Sequence, residues 1–353
     1  MKRDPFTLLC ALLQVSLRMR AADAVLAGAL DGIDWPRLVR LSGVHLLTPA
    51  LAPALADPAL RERVPEDLHL YLRAMLESAA ERNLVLRAQL EDVASCLNRS
   101  DVIPVVLKGG ARLIDGLWPE PAFRFMHDLD LLVPEASMEA CIAALASAGW
   151  RTFEADVPDE RHVMLAHPGA IARIELHRTP LPQPWADLLP AARMLTRAKP
   201  APMGRAMVAL PSTEDQLVHL VAHGMLQHQF LRNGRFLLRD LIELRRLSAL
   251  AGAGAARAAR SRFAAVHEEL AWDVAVELGA RCLGTARDGS SVAARILALR
   301  MLLQQRRPGA MLVLGPISWL ASGLLAGGGR EQALWPPRRF AARLRVFYRK
   351  TMW

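Results

Sequence analysis

Cysteine is scarce and scattered in this chain. Its 353 residues hold only Cys10, Cys96, Cys141 and Cys282, and no two form a Cys-x-x-Cys pair. That argues against a zinc ribbon or a disulfide framework and suits a reducing compartment, the cytoplasm. Aromatic residues make up 5%, with two tyrosines, while Ala, Leu and Arg dominate; such a composition favours helices. The Gly-x-x-x-x-Gly-Lys-Ser/Thr spacing of a phosphate-binding loop is missing. His219 and His223 share a helix face but lack the glutamate of His-Glu-x-x-His, so the zinc-protease arrangement fails, although a zinc pair at that spacing stays open. There is no internal repeat.

Hydrophobic residues reach 52%, enough for a sizeable core and against wholesale disorder. The net charge is +9 and the pI about 10.2. A basic balance attracts polyanions, but here the excess is spread out except at the C-terminus, so nucleic acid is not an expected partner. The apolar run over 6–17 imitates a secretion signal. Asp4-Pro5 interrupts it and Arg18-Met19-Arg20 follows without a small-residue cleavage site, which points to an amphipathic first helix. Residues 309–329 carry no charge and have spanning length. Pro316 and several glycines favour a buried or interfacial helix there. The tail beyond 338 alternates Arg with Phe340, Leu344 and Phe347, a pattern suited to an anionic membrane surface or to packing on the body.

Periodicity divides the chain into an N-terminal helical region over 1–100, an α/β core over 101–200 and a C-terminal helical region with its basic tail over 201–353. Asp34-Trp35-Pro36 reads as a helix start and 68–98 as one long amphipathic helix. Strands are expected at 103–107, 129–133, 150–153, 162–166 and 170–176, the last pair as a hairpin around Gly169. A helix from the glycines to about Gly116 and another over 137–148 intervene. The order fits an α+β layer with a mixed sheet. Residues 213–250 and most of the remainder read as helix, with a small-residue link at 251–255.

The chemistry concentrates in Leu107-Lys108-Gly109-Gly110 and Arg124-Phe125-Met126-His127-Asp128-Leu129-Asp130. Alternate strand residues point the same way, so Asp128 and Asp130 project from one face. Two such carboxylates repel each other unless a cation lies between them. Oxygen ligands on a rigid element suit Mg²⁺, or Mn²⁺ in its place, bridging to substrate phosphates. Gly109 and Gly110 would let the backbone approach a phosphate at the start of the following helix, with Lys108 as a point charge. Arg124 would pair with the carboxylates or reach a phosphate through its planar fork. Glu175, beside His177 in an apolar run, would ligate a second ion or take the acceptor proton; otherwise it pairs with Arg173 or Arg178. His127 would face away from the acids if the strand begins there. Asp240 reads as a buried partner of Arg239.

These residues resemble the polymerase-β-type nucleotidyltransferase superfamily, whose motif is an apolar residue, Gly-Gly or Gly-Ser, a helix, then Asp-x-Asp or Asp-x-Glu. More narrowly, the Lys-Gly pair and the Arg before Asp-x-Asp are similar to a bacterial family of uncharacterised nucleotidyltransferases, often encoded near polysaccharide or peptide natural-product genes. The resemblance covers 100–245. It implies a nucleotidyltransferase fold, an α+β mixed-sheet core with flanking helical segments. It also implies metal on Asp128, Asp130 and Glu175, and a nucleoside triphosphate held by Lys108, Gly109, Gly110, Arg124 and His223. The reaction implied is Mg²⁺-dependent transfer of a nucleoside monophosphate to a hydroxyl on an unidentified acceptor. Two alternatives stay open: γ-phosphoryl transfer with the same metal geometry, and a non-catalytic nucleotide-binding or membrane-associated assembly protein.

Overall fold

The computed structural model describes residues 4–153, 161–284 and 290–306. The uncharged stretch at 309–329 and the basic tail lie outside these residues. Among the described residues no helix is long and apolar enough to cross a membrane.

The N-terminal region is helical: α1 (Pro5–Ser16), α2 (Ala24–Ala29), α3 (Trp35–Val44), α4 (Leu51–Leu55) and α5 (Glu66–Asn98). Aspartates start the first three. Asp4, Asp23 and Asp34 each accept a hydrogen bond from a backbone N–H three residues on, which satisfies a donor the helix itself cannot. The signal-like run forms α1, which buries Phe6, Leu8, Leu9, Leu12 and Leu13 and packs on α3 and α4.

The chain then builds a seven-stranded mixed sheet. Its elements are β1 (Val105–Val106), α6 (Lys108–Ala111), β2 (Asp128–Leu132), α7 (Met138–Ser147), β3 (Arg151–Thr152), β4 (His162–Ala166), β5 (Arg173–His177), α8 (Ala191–Arg197), β6 (Lys199–Met203) and β7 (Ala206–Leu210). The spatial order is β3-β4-β5-β2-β1-β7-β6. The hairpin around Gly169 is β4 and β5, antiparallel. Two features depart from the sequence reading. The helix expected to reach Gly116 is one turn, α6, after which Asp115 accepts from the Leu117 N–H and Gly116 turns with φ +64. Strands β6 and β7 were not expected, because Pro200 and Pro202 argue against a strand. Strand β6 lies at the sheet edge, where a missing N–H on the outer side leaves no ladder bond unmade.

Helices follow again: α9 (Thr213–Val221), a π-helical turn (Ala222–Gln227), α10 (Phe230–Asn233), α11 (Leu238–Ala265), α12 (Glu269–Leu283) and α13 (Val292–Arg306). The small-residue link is a break within α11, at Gly252 with φ 73. Two apolar clusters hold the layers together. One lies between the sheet and α5 with α7, through Leu86, Leu90, Val93 and Leu97. The other joins the N-terminal helices to α9, α11 and α12 on the opposite side.

His45 pins that second cluster. Its ring lies against Phe6 and Phe236, at 5.7 and 5.9 Å between centroids. Its Nδ1 accepts from the Leu238 N–H at 3.2 Å, satisfying a free donor at the start of α11. Burial drives its pKa from 6.5 down to about 3. The folded value lies below the unfolded one, so the unfolded chain takes up the proton first and stability is lost as pH falls from 6.5 toward 3. Between pH 7 and 5 this one group is expected to remove roughly 2 kcal/mol. Urea unfolding of His45→Gln should show a correspondingly flatter pH dependence than the parent chain; identical slopes would refute the assignment.

Candidate active site

Strands β2 and β5 run parallel, with Asp130 opposite Glu175 and Leu132 opposite His177. Strand alternation sends Leu129, Leu131, Ile174 and Leu176 into the cluster under α5 and α7. The intervening residues, Asp128, Asp130, Glu175 and His177, line one cavity on the other face. The expectation that Asp128 and Asp130 share a face holds, and β5 adds Glu175 to it.

Asp130 is the fixed point. It is 2% exposed, and its Oδ1 accepts from Lys108 Nζ at 2.6 Å and lies 2.8 Å from His177 Nε2. Burial alone would raise its pKa, but Lys108 and His177 outweigh that and hold the carboxyl well below the usual range. Asp128 moves the other way. Burial raises its pKa first, and the charges of Asp130 and Glu175 add to the rise. His177 also lies 3.3 Å from Glu175 Oε2, while its own Nδ1 is buried without a hydrogen-bond partner among the described residues. The ligand atoms of Asp130, Glu175 and His177 all fall within 4.8 Å of one another. Two carboxylates, an imidazole and Asp128 alongside make a donor set that fits a divalent cation, because Lys108 offsets a single charge among three carboxylates.

The glycine turn behaves differently from its sequence reading. The left-handed residue is Lys108, with φ 48, and α6 begins at Lys108, so the glycines lie inside that turn rather than before it. Gly109 lines the cavity; Gly110 does not. A Cβ on Gly110 would come 2.8 Å from Val106 Cγ1. Gly110 is there so that α6 can sit against β1, a packing requirement.

The opposite wall comes from α9, the π-helical turn and α11. His219, His223 and His228 line it, with rings edge-on to one another at 5.9 and 4.3 Å. Burial is the main cause that lowers all three pKa values, to about 3 for His219, and the Lys108 charge adds to it. The wall is therefore neutral imidazole at physiological pH. His223 lines the cavity as expected. The three rings do not form a metal-binding group among the described residues. π-Helical turns concentrate at functional sites, and this one carries His223 and Gln227 into the cavity.

Arg124 takes a different partner from the carboxylates of β2. It borders the cavity, but its Nε donates to Glu243 Oε1 at 2.5 Å and its Nη1 to the Phe125 carbonyl. It serves Glu243 rather than the carboxylates of β2. Arg112 approaches the same Glu243 at 3.4 Å while bonding Asp115 and Gln216, and Trp118 Nε1 donates to Glu243 as well. Glu243 is buried, yet Arg124, Arg112 and Arg239 keep its pKa below the ordinary value against the effect of burial. Two further expectations change. His127 lies before the strand, lines the cavity and sets its ring edge-on to Phe125. Arg173, a possible partner of Glu175, lies over the Phe153 ring at 4.2 Å. His177, two residues from Glu175 and so on its face, and Glu243, one helical turn from Arg239 in α11, belong to the site although the residue pattern assigned neither a role in it.

The cavity these residues enclose measures about 370 Å³, within the range of small-molecule sites. A match to the family of uncharacterised nucleotidyltransferases runs from residue 31 to residue 285 and takes in every residue that lines it. The chain belongs to that family. It is a nucleotidyltransferase by family, and its α+β core with helical flanks is the fold expected of one. No curated protein matches the chain. Among solved structures it is similar to the antibiotic-resistance factor ANT(2'')-Ia, determined in solution. The two are 13% identical; the match covers 52% of this chain and 96% of that one, with a TM-score of 0.39. So distant a likeness adds nothing to the reading of this site.

Removing one partner of a buried charge network leaves the others uncompensated. Glu243→Leu is therefore expected to lower the unfolding free energy of this nucleotidyltransferase by about 3–5 kcal/mol. The check is the urea midpoint at neutral pH; a loss under about 1 kcal/mol would show that the arginines rehydrate instead.

Proposed function

We propose that this protein moves a nucleoside monophosphate from a nucleoside triphosphate to a hydroxyl acceptor, with Mg²⁺ as cofactor and pyrophosphate as the second product. The observation that carries the reading is the convergence of Asp128, Asp130 and Glu175 on one cavity wall, where Lys108 and His177 both bond the same oxygen of Asp130. Three acids gathered so closely, one of them buried, repel one another unless a cation lies between them.

Asp130 and Glu175 would hold the metal, with Asp128 completing the oxygen set. A bound divalent ion would steady the attacking and leaving oxygens of an in-line displacement at phosphorus. Lys108 keeps Asp130 ionised and supplies positive charge at the mouth of the glycine turn, where the triphosphate would dock beside Gly109. Glu175, less buried than Asp130, is placed to take the proton of the acceptor hydroxyl. The neutral wall of His219, His223 and His228 offers hydrogen-bonding groups without adding charge, as a nucleobase or a sugar hydroxyl requires. The acceptor is a hydroxyl compound: a small molecule, sugar, peptide or protein. A cytoplasmic location agrees with four free, buried cysteines.

The test is titration of each ribonucleoside triphosphate with and without Mg²⁺, followed by analysis of products formed with a lysate of the source cell. The parent chain is expected to bind in a metal-dependent way, to release pyrophosphate and to add a nucleotide mass to one recipient. Asp128→Ala with Asp130→Ala should abolish the metal-dependent part, a loss of at least about 100-fold in affinity or rate. Retention of full metal-dependent binding by the double variant would end the proposal. Nucleoside diphosphate as product would replace nucleotidyl transfer by γ-phosphoryl transfer.

A further inference from the structure

Cations border the cavity at Lys108, Arg112, Arg124, Arg161 and Arg239. Most are committed. Lys108 is bonded to Asp130. Arg112 spends its fork on Asp115 and Gln216, and Arg124 on Glu243 and the Phe125 carbonyl. Arg161 has partners of its own. Arg239 differs: its Nε donates to Asp240 Oδ1 at 3.0 Å, and among the described residues neither Nη makes a hydrogen bond. The side chain is neither exposed nor sealed, at 15%.

We propose that Arg239 is the phosphate-binding arginine of this site, its free Nη pair receiving the triphosphate chain of the nucleotide. The proposal rests on the nucleotidyltransferase reading. Asp240 grips one edge of the guanidinium through Nε, which fixes the plane of the fork and leaves the other edge for an anion. Paired Nη groups in that arrangement match two phosphate oxygens at once. The charge is secure: burial works against it, but Asp240, Glu243 and Asp128 together hold the pKa of Arg239 above its ordinary value. Arg239 and Asp128 line the same cavity and attract each other, so a triphosphate between the two walls would meet the acid face and any metal it holds on one side and the fork on the other. Arg124, by contrast, repels Arg239 and keeps Glu243 in place; it is a positioning residue.

The experiment is calorimetric titration of the full chain in Mg²⁺ with each of the four ribonucleoside triphosphates, the matching monophosphates and inorganic tripolyphosphate. Arg239→Ala is expected to weaken triphosphate and tripolyphosphate binding about 10- to 100-fold and monophosphate binding less than about 3-fold. Arg239→Lys, which keeps the charge without the fork, should fall between. Should Arg239→Ala fail to fold, Arg239→Gln takes its place. Unchanged triphosphate affinity, or an equal loss for monophosphates, overturns the assignment while the nucleotidyltransferase reading stands. Arg239-dependent binding of tripolyphosphate without binding of any nucleotide supports the anion site and ends the nucleotide reading. A parent chain that binds none of the probes overturns both.

Discussion

Mutual repulsion among carboxylates is the constraint around which this molecule is arranged. Parallel pairing of β2 with β5 sets Asp130 opposite Glu175, and strand alternation adds Asp128 to the same face. An ordinary core would not tolerate three acids there. Here Lys108 and His177 converge on a single oxygen of Asp130, so that one acid is fully ionised while its neighbour Asp128 is made harder to ionise. That inequality keeps one carboxylate charged beside groups that could hold a divalent ion.

The positive side of the site is organised by a second buried group. Glu243 gathers Arg124, Arg112 and the Trp118 indole. Through them α11 is fastened to the loops that follow the glycine turn and precede β2. A buried charge cluster of this kind contributes little net stability, because desolvation offsets attraction. What it does is fix where the two walls stand relative to each other. Lys108 accepts a left-handed backbone, which costs a non-glycine residue about 1 kcal/mol or more, and that conformation accompanies the reach of its ammonium to Asp130.

Much of this was legible in the residue pattern. The alternation in Asp-Leu-Asp-Leu-Leu gave β2 and the shared acid face, since a period of two has one physical meaning in a strand. Asp34 before Trp-Pro gave a helix start, and Ala251 to Ala255 marked the break in α11. The failures were those of distance and context. Pro200 and Pro202 disguise an edge strand, because nothing local says which side of β6 is unpaired. Gly110 looks like a phosphate ligand in sequence and is a spacer against Val106 in space. Arg124 stands close to Asp128 along the chain, yet its partner lies far away in α11. Long-range ion pairs leave no local periodicity, so Glu243 could not have been found without the fold.

The order of the segments along the chain has a consequence for timing. Among the segments that line the cavity, the glycine turn and the acids are translated before the imidazole wall and α11. A nascent polypeptide that has paired β2 with β5 has an open sheet bearing unroofed negative charge and no enclosed chamber. The second wall therefore needs α11, which brings Glu243 to its arginines, and a chain ending before that helix would carry the acid face without the wall opposite it.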